Sequence, residues 1–284
     1  CLTGLSAQTY QPLDVIVLSP ADDESIQTAI AQAQTQFPGH KYLTAAPYST
    51  LGEAYNYLVE QSPGEYVLVL SADRIATPTM IETMVAAAAE TKAVAVVCPL
   101  RIGADEQPES ITPVDGNLLK LLEFNHRYDL TALFSRQFLQ QFPYSQERNL
   151  QALNWQIFAA AIATDQAIAY YPYPLFTIPP KAASTIPTAN LARERYYLRQ
   201  YLFQIKPEQW HQRQINLLLT GFEQLVQSRS QHQHQPSSPQ DQAWMITAQQ
   251  MHHELTYAQA RLKELETWNR ELQTGKEWLE SQWQ

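Results

Sequence analysis

The chain has 284 residues, of which 45% are hydrophobic and 17% are charged, so it is long enough for one sizeable core with appendages. Its net charge of −9 argues against a broad basic surface, and therefore against a nucleic-acid-binding protein. The two cysteines, Cys1 and Cys98, do not make a disulfide framework, which favours a reducing compartment. The 8 glycines include no glycine-rich phosphate loop, and no apolar run is long enough to span a membrane.

The first quarter of the chain alternates between predicted helices and strands. Residues 1–10 have the pattern of the end of a helix, and no initiating methionine precedes them, so we expect a fragment of a longer protein. Short apolar runs at residues 13–18 and 41–44 predict strands. Helices are predicted over residues 25–37 and 49–60.

The rest of the chain is organised around residues 64–80. Residues 66–70 form a continuous apolar run, which predicts a strand buried on both faces in the middle of a parallel sheet. A polar break follows, and Thr77 and Pro78 are predicted to cap and open the next helix. Asp73 then lies at the carboxyl end of the strand, where open α/β sheets bind their ligands.

Beyond this stretch predicted helices and strands continue to about residue 180, and only then does the pattern change to helices alone. Helices are predicted over residues 78–90 and 150–163, strands over 93–99 and 130–134, an edge strand with its exit loop over 167–180, and a polar, turn-rich loop over 101–117. Cys98 is expected to be an inert core residue. Residues 183–227 form a predicted helical extension, and residues 228–243, rich in Gln, Ser and Pro, form a flexible linker. In residues 244–284 apolar side chains recur every seven positions, which predicts a coiled coil.

The central stretch resembles the nucleotide-sugar-binding core of family 2 glycosyltransferases, which have the GT-A fold. The family pattern is Gly-Glu-Tyr, an apolar strand, Asp-Ala-Asp-Asp and a proline that opens a helix. The positions that match are Gly64, Glu65, Tyr66, Ala72, Asp73 and Pro78. The resemblance covers roughly residues 1–180. It implies an α/β domain over residues 1–182, a mostly parallel Rossmann-like sheet flanked by helices, lacking its first strand and followed by the helical and coiled-coil extension.

The resemblance also implies a donor site, although the chain has lost some of its acids. Ser19 and Ser71 stand where the family has aspartates, and Arg74 replaces the last Asp of the motif. With Asp73, which would hold Mg²⁺ or Mn²⁺ against the diphosphate, these residues form the expected donor site. Asn56 matches the family's Ala-x-Asn, and either contacts the phosphate side or lies on an ordinary polar helix face.

On the acceptor side, Asn154 occupies the position of the family's catalytic base, and Trp155 is the adjacent aromatic residue expected to bind the acceptor. An amide cannot take a proton from a hydroxyl at neutral pH. General-base assistance is worth about 10²–10⁴-fold, or roughly 3–5 kcal/mol of barrier, so the chain should be slow unless another carboxylate substitutes. Glu147 and Asp165 are the nearest other acids, and their spacing selects neither.

Two functions of different classes follow from these residues. The first is an inverting glycosyltransferase that uses a nucleotide sugar and a glycan acceptor, as in polysaccharide synthesis. The second is an inactive, transferase-like scaffold whose coiled coil, over residues 244–279, recruits partners or a second copy. Either protein is expected in the cytoplasm, with the membrane surface as an alternative location. A nucleic-acid-binding zipper is disfavoured, because the residues before the heptads are not rich in Lys and Arg.

Overall fold

The computed structural model describes residues 2–19, 28, 31, 41–44, 48–71, 73–102, 131–148, 150, 152–178, 194, 197–198, 200–202, 204–206, 209–216, 256, 260 and 263. Five helices and nine strands are bounded within these residues. The helices are α1 (Leu2–Ser6), α2 (Leu51–Gln61), α3 (Met80–Thr91), α4 (Arg136–Gln141) and α5 (Leu153–Ala163). The strands are β1 (Ile16–Ser19), β2 (Lys41–Thr44), β3 (Tyr66–Leu68), β4 (Ile75–Ala76), β5 (Ala95–Val97), β6 (Leu100–Ile102), β7 (Ala132–Ser135), β8 (Ile168–Tyr170) and β9 (Phe176–Ile178).

The chain divides into two compact units, with bounds Cys1–Ile162 plus Gln166–Leu202, and Ala163–Asp165 plus Phe203–Gln284. All bounded strands belong to the first unit. The predicted linker lies outside the described residues, and so does the predicted coiled coil except for three helical positions at 256, 260 and 263. Among the described residues, no helix is long and apolar enough to cross a membrane.

The main sheet has four strands in the order β3-β7-β5-β8. Strand β7 is antiparallel to both β3 and β5, while β5 and β8 are parallel. It follows that β3, β5 and β8 run in one direction and end at the same edge of the sheet. The parallel pair β1-β2 and the trio β4-β9-β6 form two smaller sheets. The expected α/β class with flanking helices is confirmed, but the sheets are mixed rather than mostly parallel.

The central strand differs from its prediction in length and position. Strand β3 has three residues, of which only Val67 is buried, and it lies at the margin of its sheet rather than in the middle. Its one partner among the described residues is β7, which leaves its other edge without a strand in that part of the chain. The neighbouring strands β5 and β7 are buried on both faces, since each has three consecutive buried residues.

The core of the first unit forms where α3 packs against the strands. Met80 and Met84 on this helix are fully buried, as is Val96 of β5, and Phe176 of β9 is 1% exposed. These side chains belong to one continuous apolar cluster that also contains Cys98. Cys98 is buried and forms no disulfide, as its sequence context predicts.

The start of α3 is not capped as predicted. The helix begins at Met80 with Thr79 as its cap residue, and the Thr79 side chain makes no capping hydrogen bond. Thr77, the predicted cap, has a buried hydroxyl with no partner among the described residues. Pro78 therefore lies before the helix and not at its first position.

A distant glutamine supplies the missing cap. The Gln8 Oε1 atom accepts a hydrogen bond of 3.0 Å from the Ile81 backbone N–H, one of the N–H groups that a helix start leaves unsatisfied. The same carboxamide donates from Nε2 to the Thr77 carbonyl at 2.6 Å and to the Gly4 carbonyl at 2.9 Å. Because Gln8 is 5% exposed, these bonds are shielded from water. They tie α1 to the segment that follows the polar break.

Candidate functional site

The predicted site lies at the carboxyl edge of the main sheet. Beyond the end of β3 the chain makes a turn that is closed by the Arg74 N–H, which donates to the Ser71 carbonyl at 3.1 Å. Strands β5 and β8 end at this same edge. Asp73 is therefore at the edge of the sheet where ligands bind in open α/β folds, even though β3 itself is marginal.

Asp73 and Arg74 form an ion pair within this turn. The Arg74 Nη1 atom lies 2.9 Å from the Asp73 Oδ2 atom, and the two side chains are 14% and 36% exposed respectively. The other carboxylate oxygen, Oδ1, is buried and has no hydrogen-bond partner among the described residues. A carboxylate oxygen that has lost water without gaining a donor is a place where a cation or a hydroxyl group can bind.

The residues of this turn fit a divalent cation as a site completed by substrate. Asp73 offers one oxygen, and Mg²⁺ is commonly held by one or two carboxylates together with substrate phosphates. Nowhere in the described part of the chain do three or more His, Cys, Asp or Glu side chains gather as a metal cluster. Ser71 is exposed and would add at most a weak oxygen ligand, so a bound cation would depend on the diphosphate for its remaining ligands.

Ser19 lies at the end of a different sheet. It is the last residue of β1 and is paired in parallel with Thr44 of β2. Its side chain and the acidic residues at positions 22–24 lie outside the described part of the chain. The donor role of Ser19 stays a prediction.

The Asn56 side chain binds a loop of the protein, so its polar atoms are not open to a ligand. From α2, its Nδ2 atom donates to the Tyr144 carbonyl at 2.8 Å, and its Oδ1 atom accepts from the Tyr144 N–H at 2.8 Å. Both polar atoms of the carboxamide thus bind the backbone of one residue, 88 positions away in sequence. The predicted contact of Asn56 with donor phosphates gains no support from this geometry.

Asn154 lies in the first turn of α5, where the same loop reaches it. The Tyr144 hydroxyl donates to the Asn154 Oδ1 atom at 3.0 Å. The Tyr144 side chain is 2% exposed, and its ring contacts that of Tyr55 edge-on, with centroids 5.3 Å apart. Burial raises the pKa of the Tyr144 hydroxyl well above its usual value, and the neighbouring Tyr55 and Tyr201 raise it further. The phenol therefore remains protonated and available as a donor.

Other contacts hold the loop of residues 142–147 in place. The Ser145 N–H donates to the Gln156 Oε1 atom on α5 at 3.3 Å, and the Tyr201 hydroxyl donates to the Pro143 carbonyl at 2.9 Å. A Cβ atom added at Gly52 would overlap the Ser145 carbonyl oxygen. Gly52 is required by this approach of two backbones, and it lies one helical turn from the loop-binding asparagine.

Trp155 and the two alternative acids do not strengthen the acceptor site. Trp155 is 6% exposed, so little of its ring reaches the surface, and its role in acceptor binding stays a prediction. Glu147 is exposed on the loop. The Asp165 Oδ2 atom lies 3.6 Å from the His211 Nε2 atom, in the second unit. Neither acid has a contact that marks it as a replacement base.

The structure adds three residues that the sequence did not point to: Gly52, Tyr144 and Gln156. The loop that contains Tyr144 matches the family's Gly-Phe-Asp-Glu region only loosely, and no local pattern predicts a partner 88 residues away. Of the predicted residues, the structure joins Asp73 with Arg74 and places Asn154 beside the loop that Asn56 binds.

The sequence matches a known protein family, and the fold is similar to solved structures. The family described as "Glycosyl transferase family 2" matches residues 1–150, which includes the Asp73 turn and stops four positions before Asn154. No curated protein sequence matches the chain. Among solved structures, S. aureus TarS 1–349 is similar with a TM-score of 0.56 and 13% identity, covering 90% of this chain and 75% of that one.

Two further TarS structures are similar to this chain, with TM-scores and identities close to those of the first. TarS 1–349 in complex with UDP has a TM-score of 0.54 and 12% identity, with coverage of 77% of this chain and 63% of that chain. The longer TarS structure also has a TM-score of 0.54 and 12% identity, over 79% of this chain. The present chain spans 39% of that longer protein. At such low identity the likeness concerns the fold.

Proposed function

Because the chain belongs to glycosyl transferase family 2, we propose that it transfers a sugar from a nucleoside-diphosphate donor to a hydroxyl acceptor, with inversion at the anomeric carbon. The observation that carries the proposal is Asp73, a carboxylate at the carboxyl edge of the sheet with one buried oxygen that lacks a donor among the described residues. Glycan or cell-envelope polysaccharide synthesis is the setting we propose for this reaction.

In this function the turn of residues 71–74 binds the donor's diphosphate. The Asp73 Oδ1 atom would hold Mg²⁺ or Mn²⁺ there, and such a cation neutralises charge that develops on a leaving diphosphate. Arg74 fixes the carboxylate through Oδ2 and adds positive charge beside the phosphates. Ser71 and Ser19 are the remaining candidates for hydrogen bonds to the nucleotide.

On the acceptor side, Asn154 would bind the attacking hydroxyl without removing its proton. Its carboxamide is held by Tyr144, so it can orient an acceptor. Without a general base, the reaction lacks an acceleration of about 10²–10⁴-fold. We expect slow transfer as a consequence.

The test is calorimetry of the full chain with UDP-, GDP- and dTDP-sugars, each with and without Mg²⁺. UDP-sugars come first, because the similar TarS fold has been solved with UDP. We expect binding that requires the metal and is lost in Asp73→Ala. Asp14→Ala, which removes an exposed carboxylate from the loop before β1, serves as the control and should bind normally. Absence of heat with every sugar nucleotide would refute the proposal.

A second candidate function is an inactive transferase fold kept as a scaffold. It is favoured by the absence of carboxylates at Ser19, Ser71, Arg74 and Asn154 while the surrounding elements remain. To separate the two, Ser71→Asp and Asn154→Asp are introduced together, and UDP release from the best-binding donor is measured. A gain in donor hydrolysis or transfer points to a decayed enzyme. No change in a chain that is already active points to altered chemistry.

The extension beyond residue 182 is proposed to serve assembly. Its apolar heptads over residues 244–279 favour a coiled coil that joins a second copy or a partner protein. The two cysteines form no disulfide framework, which favours a reducing compartment, so the proposed location is the cytoplasm, with the membrane surface as the alternative. Sedimentation of the full chain and of a chain that stops at residue 227 checks the first point, since the same number of copies per particle in both would exclude self-association through the heptads.

A further inference from the structure

We propose that Asn56 is a positioning residue for the acceptor side of the site, acting through Tyr144 to fix the side chain at position 154. The inference rests on the proposed function, because an acceptor role for Asn154 follows from it. It differs from a donor contact, since Asn56 would touch neither the nucleotide nor the reacting atoms.

The first step is the geometry of the Asn56 bonds. One carboxamide both donates to and accepts from the backbone of a single residue, with two distances of 2.8 Å. Such a cyclic pair fixes the orientation of the Tyr144 backbone as well as its position, which a single hydrogen bond does not. Because Asn56 lies in the middle of an eleven-residue helix, the loop takes its place from a rigid element.

The second step is that the loop cannot retreat from this helix or approach it. The Gly52 surface touches the Ser145 carbonyl directly, so there is no space for a closer approach. On its other side the loop is bound by Tyr201 through Pro143 and by Gln156 through Ser145. The Tyr144 ring enters the interior from this fixed backbone and is 2% exposed.

The third step is the contact between Tyr144 and position 154. The phenol donates to Asn154 Oδ1 at 3.0 Å, and burial keeps it protonated. A protonated donor at a fixed place holds whichever acceptor atom occupies that position, a carboxamide oxygen here or a carboxylate oxygen after substitution. Asn56 thus determines the position of a side chain that it does not touch.

The test uses the full chain with Asn154→Asp as the parent, because the introduced carboxyl group reports its own surroundings. Its pKa is measured by 13C NMR titration. A hydrogen bond to the charged form lowers a carboxyl pKa, and two or three such bonds lower it by about two units, so the single bond from Tyr144 should lower it by roughly one unit. In Tyr144→Phe this lowering should disappear.

The decisive variant is Asn56→Ala in the same parent. If Asn56 positions Tyr144, the pKa of the introduced carboxyl should rise by a similar amount, and adding Asn56→Ala to Tyr144→Phe should change nothing more. Tyr57→Ala, a truncation at the next position of the same helix, is the matched control and should leave the pKa unchanged. If Asn56 only stabilised the fold, Asn56→Ala would also leave the carboxyl pKa unchanged.

Where Asn56→Ala lowers the folded fraction, Asn56→Ser is the second variant; it is uncharged, so it does not raise the carboxyl pKa by repulsion, and loss of the paired bonds should raise that pKa as in Asn56→Ala. An unchanged pKa in folded Asn56 variants, or in Tyr144→Phe, overturns the proposal. Since the titration needs no donor or acceptor, its result is separate from that of the nucleotide-sugar calorimetry. In that calorimetry Asn56→Ala should bind UDP as the unsubstituted chain does, whereas a donor contact would weaken binding.

Discussion

Replacing Gln8 should destabilise the chain far more than its place near the amino end suggests. In Gln8→Met a side chain of similar length replaces the carboxamide, and three hydrogen bonds disappear: those to Gly4, Thr77 and Ile81. At about 1 kcal/mol for each net hydrogen bond, the loss is roughly 3 kcal/mol. Water cannot replace the lost hydrogen bonds, because Gln8 is 5% exposed and its former partners remain largely shielded from solvent.

The assay is urea unfolding of the full chain followed by circular dichroism. Thr9→Ala is the matched control, since its hydroxyl bonds to Glu82 at 2.6 Å in an exposed position and its removal should cost less than about 1 kcal/mol. Gln8→Glu should be at least as destabilising as Gln8→Met, because its second carboxylate oxygen would face the Gly4 and Thr77 carbonyls in a buried position. If Gln8→Met were no more destabilising than Thr9→Ala, the capping role of Gln8 would be refuted.

Three other perturbations have expected outcomes. Burial raises the pKa values of Tyr144 and Tyr201 in the folded chain only, so these tyrosines ionise first in the unfolded chain. Their contribution to the free energy of unfolding should be constant below pH about 10 and should fall above it, by up to about 1.4 kcal/mol per pH unit for each tyrosine. Urea midpoints between pH 8 and pH 11 measure this, and a flat profile contradicts it. In a Cys1→Ser chain, Cys98 should react with a thiol reagent only in denaturant; rapid labelling of the native chain would contradict its burial. Finally, Arg74→Gln removes a cation beside the proposed metal ligand, so Mn²⁺ titrated without a nucleotide should bind roughly tenfold more tightly, given charges about 6 Å apart in a water-like medium; unchanged affinity would mean that the guanidinium does not oppose the metal.

Local patterns predicted many elements because their causes are local. The strand at residues 41–44 was predicted with the bounds of β2, and the helix expected over residues 150–163 ends where α5 ends. The strand at 93–99 contains β5, whose three residues are all buried. For α5 and β5 the apolar side chains that predict the element are also buried in the core.

The wrong predictions concern partners that are distant in sequence. Thr77 and Pro78 make a good local signal for a helix start, yet Gln8 caps α3 from more than 70 residues away. The run at residues 66–70 has the composition of a buried strand, but the neighbours of β3 decide its place in the sheet. An edge strand and an exit loop were predicted over residues 167–180, and the structure has two strands there, β8 and β9, in different sheets.

The candidate site shows the same division. The position of Asp73 at the edge of the sheet could be predicted because the turn that carries it follows a recognisable strand. The partner of Asn56 could not, since a carboxamide on a helix gives no indication of which backbone it will bind. The family resemblance placed Asn154 in the site, and only the structure places Tyr144 beside it.

The direct contact between Gly52 and the Ser145 carbonyl has a dynamic consequence. Where Gly52 meets Ser145 no side chain lies between helix α2 and the loop of residues 142–147, so this contact has no compressible layer that absorbs small displacements. Any opening that separates them also breaks the two bonds of Asn56. Their backbone amides should therefore exchange with solvent deuterium in one cooperative event, and a bulkier residue at position 52 would accelerate exchange in both segments together.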